Sequence, residues 1–445
     1  MKPGSSESLF GTDGIRSEFG KFPLDPSSII RIGSSVSACI GSAKVLIGRD
    51  PRISGSEIEK LLVSGIGSGS EVFSAGIIPT PALSYNVAAE GFDLGIMITA
   101  SHNIWSDNGI KLFGPDGEKL PDRVQDNITA MFYSERKFPE ADCAGKIHPF
   151  SGTENYVNYL AASFPDLRRP QPDILLDCAN GAVSDAAPEV YSRLGIPHTP
   201  FNIQPDGKNI NAGCGSTVPG YLAGRIRAGE GQLGITFDGD GDRVILLDGN
   251  GRELDGDFLL FIISRYLKAA DPDYFPSVVG TVMSNLSLEK ELERAGIAFF
   301  RSDVGDRQVV EEMKNRSAVL GGEQSGHIIY RALQQTGDGI LTSLLFLRAL
   351  GFLGLTVSDA SAMFTPFPQV TRSIRIREKK PLENWPELNR MIGRFYDAHG
   401  VNSRILIRYS GTEKKVRLMI ESEDENVLTK NLEVFERFLV SGIGE

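Results

Sequence analysis

The chain has 445 residues, 41% of them apolar and 23% charged, and carries a net charge of −11. That length predicts about three or four domains, and the composition is that of an ordinary soluble globular protein. The acidic balance argues against a broad nucleic-acid surface, and an anionic substrate would need cations gathered locally in its pocket.

From the amino end, Gly11-Thr12-Asp13-Gly14-Ile15-Arg16 is a Gly-rich turn closing on a cation. A strand is predicted over 44–48, leading into Gly48-Arg49-Asp50-Pro51-Arg52, and a helix over 56–64. The apolar strand 94–99 runs into Thr99-Ala100-Ser101-His102-Asn103, with Asp107-Asn108-Gly109-Ile110-Lys111 further on. A serine leaving a buried strand beside His102 can serve as a nucleophile. Taken alone, such a serine more often caps a helix. No G-x-S-x-G elbow surrounds it, which disfavours an α/β-hydrolase. The polar, Pro-containing stretch 138–151 reads as a boundary.

A strand over 173–177 opens the next piece, and a strand over 233–237 leads into Asp238-Gly239-Asp240-Gly241-Asp242-Arg243. Three carboxylates at alternate positions, separated by glycine, can fold round one hard cation, and Mg²⁺ prefers such oxygen ligands. An EF-hand fails, since its sixth and twelfth positions would be Arg243 and Gly249. An Asp-x-Asp-x-Thr/Val phosphatase fails at Asp242. The turn-rich stretch 248–257 is a second boundary.

Helices over 258–269 and 288–295 then alternate with strands over 278–282 and 318–320, as in parallel or mixed sheets. Gly305-Asp306-Arg307 comes shortly before Gly321-Gly322-Glu323-Gln324-Ser325-Gly326-His327. Its glycines would bring the backbone close to a ligand, and its polar side chains suit a hydroxyl-rich ring. A capped helix start is the alternative. The apolar run 344–355, interrupted by Arg348, reads as a buried helix, and two prolines in 365–369 mark a third boundary. Beyond it, alternating runs over 373–376, 404–408 and 416–421 predict an antiparallel sheet with one or two helices. There Arg408-Tyr409-Ser410-Gly411-Thr412-Glu413, with Arg417, offers a phosphate its guanidinium fork, hydroxyls and N–H groups. A polar hairpin turn is the bland reading. The boundaries give pieces of 1–150, 151–250, 251–365 and 366–445.

Absences narrow the field. No G-x-x-x-x-G-K-[ST] loop is present, and Gly65-Ile66-Gly67-Ser68-Gly69 misses the last glycine of a dinucleotide fingerprint. No apolar run reaches the ~18 residues of a membrane span, and the first residues lack the apolar stretch of a secretory signal. Cys39, Cys143, Cys178 and Cys214 form no C-x-x-C pair. That argues against zinc and disulfides and leads us to expect a reducing cytoplasm.

Phe10–Arg16, Thr99–Asn103, Asp238–Arg243, Gly321–His327 and Arg408–Glu413, in this order and spacing, resemble the α-D-phosphohexomutases over nearly the whole chain. Asn209-Ile210-Asn211 with Cys214-Gly215-Ser216-Thr217, and Thr336-Gly337-Asp338-Gly339, resemble the branch acting on glucosamine phosphates. The resemblance implies three α/β domains with mixed sheets plus a smaller C-terminal α+β domain around a central cleft. They would be, in turn, a phosphoserine, a metal-loop, a sugar-binding and a phosphate-binding domain.

It further implies that Ser101 carries the phosphoryl group and, with Asp238, Asp240 and Asp242, ligates Mg²⁺. Arg16 and Lys111 would stabilise charge and shuttle protons, with His102 a hydrogen-bonding neighbour. Arg243, Arg307, Glu323, Ser325 and His327 would bind the sugar. Arg408, Ser410, Gly411 and Thr412 would hold the phosphate that is not reacting. The implied partner is a small phosphosugar, with a sugar bisphosphate as activator and intermediate. No nucleic acid or membrane is implied, and monomer and homodimer stay open. A mutase for glucose or mannose phosphate, or a phosphosugar-binding protein with little turnover, are the alternatives.

The chain departs from the pattern at Ile104, followed by Trp105, and at Tyr409 and Lys414, where the family usually has proline. Their loss is expected to loosen both loops without removing a reacting group.

Overall fold

The apolar runs become the inner strands of separate sheets in a computed structural model that describes residues 8–11, 13–136, 146–167, 172–271, 277–410 and 414–445. The first sheet has the spatial order Ile15–Glu18, Asp107–Phe113, Leu94–Ile98, Lys44–Arg49, Glu71–Ile77, Ile147–Pro149. Lys44–Arg49 is parallel to both its neighbours, whereas Asp107–Phe113 is antiparallel to Leu94–Ile98. The second runs Glu253–Leu254, Val244–Leu247, Leu233–Phe237, Ile174–Asp177, His198–Phe201, and the third Ala298–Ser302, Ser277–Thr281, Leu320–Gly322, Ile328–Tyr330. Both mix parallel and antiparallel pairs. The α/β class with mixed sheets expected from the alternation is therefore present.

Packing divides the chain into two units, Met1–Met283 with Ile297–Ala362, and Ser284–Gly296 with Met363–Glu445. The second unit holds the antiparallel sheet Gln369–Arg375, Lys415–Ser422, Ser403–Tyr409. Leu388 and Phe395 of helix Pro386–His399, and Leu432 and Phe435 of helix Asn426–Ile443, pack on its Val416 and Leu418. That is the antiparallel sheet expected from 373–421, with two helices on it where one or two were expected.

Every residue of Leu94–Ile98 and Leu233–Phe237 is buried, which is why these strands read as apolar runs, broken only by Thr236, whose hydroxyl donates to Ile245 O at 3.0 Å. Their carboxyl ends deliver the Ser101 and Asp238 segments. One strand is displaced from its expected place: 318–320 becomes Leu320–Gly322. Ala318 N donates to Met313 O at 2.8 Å, so the preceding helix Asp306–Asn315 still holds that residue. Gly321 and Gly322 thus lie within a strand, not in a ligand-facing turn. A Cβ on Gly321 would sit 2.6 Å from Met313 Sδ, and one on Gly322 2.6 Å from His327 O. Close packing explains both glycines.

The apolar helix expected over 344–355 runs Gly339–Leu353, with the Asp338 side chain accepting from Leu341 N and Gly354 closing it in the left-handed region. Its first residue meets the acidic loop: Gly339 N donates to Gly241 O at 3.0 Å. Asp338 is buried, and the Tyr156 hydroxyl donates to its carboxylate from 2.8 Å. Tyr156→Phe removes that donor from a buried carboxylate and should lower unfolding stability by ~1–3 kcal/mol in a urea titration.

No described helix is long and apolar enough to cross a membrane. Cys39, Cys178 and Cys214 are free thiols, and Cys143 lies outside the described residues.

Candidate active site

The chain leaves strand Leu94–Ile98 through Thr99, whose hydroxyl donates to Asp50 Oδ2 at 2.6 Å and accepts from Ser101 N at 2.8 Å. Ser101 is fully buried and left-handed, with φ 51°. Such a conformation costs about 1–3 kcal/mol and is typical of functional sites. It directs Ser101 Oγ to Asp238 Oδ2, to which it donates at 2.6 Å, with His102 Nδ1 3.3 Å away.

Asp238, Asp240 and Asp242 are buried, and each offers one oxygen within 4.8 Å of the others. Gly239 lets the loop reach the serine, since a Cβ there would lie 2.7 Å from Ser101 O. Gly241 has φ 76°, a conformation that a side chain would strain. Asp240 Oδ2 accepts from Thr80 Oγ1 at 2.7 Å and Lys111 Nζ at 2.9 Å, and Asp242 Oδ2 from Lys111 Nζ at 2.9 Å. Their second oxygens, Asp240 Oδ1 and Asp242 Oδ1, are buried without a hydrogen-bond partner. Buried, unpartnered carboxylate oxygens from an all-oxygen donor set are what a hard divalent cation requires, so the residues fit one.

Lys111 reaches this cluster because Asp107–Phe113 pairs with the strand that ends at the serine, Met97 opposite Lys111. Burial alone would lower its pKa, but Asp13, Asp240 and Asp242 outweigh that and hold the ammonium well above the ordinary lysine range. Held as an ammonium, Lys111 donates to these carboxylates and neutralises their charge. Burial likewise raises Asp238, reinforced by Asp240 and Asp242. For Asp242 burial acts upward, and Lys111 and His327 overcome it and bring the group well below the usual range. Burial, then Arg243 and Arg16, push His102 down to about 4, leaving its ring neutral.

Arg16 donates to the Asp13 carboxylate, which also faces Lys111 and Lys119. Arg243 N donates to Asp238 Oδ1 at 3.2 Å. Its side chain lines a cavity of about 120 Å³ with Asp13, Asp242, Asp306, Glu323 and His327. Glu323 Oε1 accepts from Gly305 N at 3.1 Å, and Ser325 is exposed. Two further residues of the expected sugar-binding set also contact protein groups. His327 is buried, 3.6 Å from Asp242 Oδ1, and its Nε2 accepts from Gly337 N at 3.2 Å. Arg307 donates to the Asp122 carboxylate and to Gln125 Oε1, tying helix Asp306–Asn315 to helix Asp122–Tyr133.

In the second unit Arg408 stands opposite Arg417 across two strands, and Ser410 N donates to Lys415 O at 2.9 Å. Tyr409 fixes this segment where a proline was expected: its hydroxyl donates to Lys380 O at 2.7 Å and accepts from Lys380 N at 2.9 Å. Thr12, Gly411, Thr412 and Glu413 lie outside the described residues.

Sequence reasoning did not single out Asp13, Thr80, Lys119, Asp306 or Asn211 as site residues. Asp13, Asp306 and Asn211 carried a faint signal, lying in the motifs Gly11–Arg16, Gly305–Arg307 and Asn209–Asn211; Thr80 and Lys119 are isolated polar residues that only the fold brings in.

The fold and this cluster are shared with isomerases that move a phosphoryl group within their substrate, as the family matches show. Four profiles of phosphoglucomutase/phosphomannomutase match in order: α/β/α domain I over residues 7–164, domain II over 154–251, domain III over 255–367 and the C-terminal domain over 373–436. A phosphoglucosamine mutase of Koribacter versatilis is 40% identical over 450 residues, covering 98% of this chain and 97% of its own. One of Desulforudis audaxviator is 41% identical over 441 residues, covering 96% and 97%. Among solved structures, a phosphoglucomutase/phosphomannomutase family protein from Burkholderia thailandensis matches with TM-score 0.81 at 20% identity, covering 99% and 100%. Aspergillus fumigatus N-acetylphosphoglucosamine mutase, in complex with GlcNAc-6P and magnesium, matches at 0.70 and 17%, covering 98% and 97%. The chain belongs to the α-D-phosphohexomutase family, the phosphoglucomutases and phosphomannomutases. The family implies a metal ion, and the buried Asp238, Asp240 and Asp242 fit one.

Proposed function

We propose that this enzyme interconverts glucosamine 6-phosphate and glucosamine 1-phosphate by way of phosphorylated Ser101 and a sugar bisphosphate. One observation carries the phosphoserine reading: the buried Ser101 hydroxyl lies 2.6 Å from Asp238, within a carboxylate cluster that fits a divalent cation. The choice of amino sugar is supported by the full-length likeness to phosphoglucosamine mutases.

In this reading the oxygen of the free sugar hydroxyl bonds to phosphorus as the bond to Ser101 Oγ breaks, and the proton the hydroxyl loses is made up on Oγ, which becomes the serine hydroxyl again. In the return step Oγ takes the other phosphoryl group. Phosphoryl transfer of this kind needs alignment and charge neutralisation more than covalent help. Mg²⁺ held by Asp238, Asp240 and Asp242, when bound, supplies positive charge to phosphoryl oxygens. Lys111 and Arg16 add fixed cations beside it. The neutral His102 offers Ser101 Oγ a hydrogen-bonding neighbour. Glu323 and Ser325 bind sugar hydroxyls, with Arg243 supplying a donor and His327 and Arg307 shaping the surrounding loops. Arg408, Ser410, Gly411 and Thr412 bind the phosphate that is not transferred. The assigned domains are 1–150, 151–250, 251–365 and 366–445. The cytoplasm is the proposed location.

The test compares turnover of glucosamine 6-phosphate with that of glucose 6-phosphate and mannose 6-phosphate. The amino sugar should be favoured in kcat/KM by at least about tenfold, roughly 1.4 kcal/mol of transition-state discrimination. Equal or greater efficiency on glucose phosphate would move the enzyme to the glucose branch. Bound phosphosugar without interconversion would leave a binding protein.

A further inference from the structure

The left-handed Ser101 conformation persists only if its surroundings over-determine it, and a fully buried arginine supplies the restraint. Arg52 Nε donates to Asp50 Oδ2 at 2.8 Å. One terminal nitrogen donates to Ile104 O and, at 2.9 Å, to Asp107 O; the other donates to Ser101 O and Asn103 O, both at 2.9 Å. All of the guanidinium donors are thus used, and the carbonyls they reach span the whole serine loop. Asp50 accepts from Thr99, which accepts from Ser101 N, so the same ion pair fixes the loop from its strand side.

A second holder comes from the neighbouring sheet's loops. Asn211 Nδ2 donates to Ser101 O at 2.9 Å and Asn103 O at 3.1 Å. The segment after Arg52 is joined to those loops as well, Ile53 N donating to Gly207 O at 2.9 Å. Ile104, at the position of the usual proline, leaves its side chain exposed while Arg52 holds its carbonyl. The loosening expected at this loop is therefore opposed by a guanidinium instead of a ring.

We infer that Arg52 is the positioning residue of the Ser101 loop, with Asn211 as its partner, holding Oγ on the line to Asp238. The inference rests on the reading of Ser101 as phosphoryl carrier. Lysine cannot replace the arginine, because one ammonium with three donors cannot reach carbonyls spread round a planar fork.

The test uses full-length enzyme with Mg²⁺, as wild type, Arg52→Lys and Asn211→Gly. Glycine suits position 211, where φ is 58°. Intact-mass spectrometry follows the rate constant for phosphoryl uptake by Ser101 from a sugar bisphosphate, and steady-state assays give kcat and KM. Misplacing a reacting atom by about 1 Å costs on the order of 100-fold, so Arg52→Lys should lose about that in uptake and kcat, and Asn211→Gly roughly tenfold. KM should stay within about twofold. A purely structural role would reduce the folded fraction and leave the uptake rate constant of the folded molecules unchanged. Uptake within about twofold of wild type in Asn211→Gly, and in Arg52→Lys where it folds, overturns the positioning role. If Arg52→Lys does not fold, Asn211→Gly decides alone. A wild type that takes up no phosphoryl group overturns the Ser101 reading itself, and the positioning role falls with it.

Discussion

Ser101→Ala should abolish turnover, with kcat falling on the order of 10⁴-fold or more, while the protein stays folded and still binds a divalent cation. Alanine tolerates the left-handed position no better and no worse than serine, and the backbone contacts of the loop do not involve the hydroxyl. What disappears is the oxygen facing Asp238. Among the described residues the neighbouring threonine hydroxyls are already engaged, Thr99 Oγ1 with Asp50 and Ser101 N and Thr80 Oγ1 with Asp240. Loss of a nucleophile leaves only the residual rate that binding and electrostatics provide. Intact mass after incubation with a sugar bisphosphate should show one added phosphoryl group on the wild type and none on the variant. Mg²⁺ titration by calorimetry should give similar affinity for both. An alanine variant that isomerises at the wild-type rate would end the phosphoserine mechanism.

The parts of this site that could be read from the chain are those carried by buried strands. Leu94–Ile98 and Leu233–Phe237 are buried throughout and almost wholly apolar because both faces are covered, and the polar residues that follow such strands must lie at sheet ends, where sites collect. Spacing then gave the metal loop, since alternate aspartates separated by glycine can converge locally without help from elsewhere. Contacts between distant segments were not legible. Arg52 follows Pro51 in a Gly-flanked stretch that reads equally well as a surface turn, yet it is buried against carbonyls about fifty residues away. Lys119 has no local motif and meets both Asp13 and Asp306. Arg307, two residues after Gly305 and shortly before a polar loop, carries no local sign of its protein partners. Only the helix Asp122–Tyr133 lying alongside reveals its partners. Local pattern identifies which residues are made available at a strand end; burial and pairing between elements decide how each is used.

Lys111 is where that distinction has its largest energetic consequence. Its ammonium is almost fully buried, with Asp240 and Asp242 oxygens at 2.9 Å and an Asp13 oxygen at 3.4 Å. Lys111→Met keeps the length and apolar stem of the side chain and removes the charge. The carboxylates left behind are buried and repel one another, and breaking a buried ion pair from one side costs about 3–5 kcal/mol. The variant should therefore unfold at a markedly lower temperature than wild type in EDTA. Mg²⁺ binds to the folded cluster and not to the unfolded chain, so it should restore much of the difference, with about 2.7 kcal/mol available at a hundredfold excess over Kd. Wild type, already compensated by the ammonium, should gain less from the same ion. Activity should remain low in Mg²⁺, because the fixed cation beside Ser101 is missing even when the fold is restored. Thermal unfolding of both proteins across a Mg²⁺ series separates the two effects. Equal midpoints in EDTA and equal Mg²⁺ gains would mean that Lys111 does not compensate these carboxylates, and the electrostatic account of the cluster would have to be rebuilt round another cation.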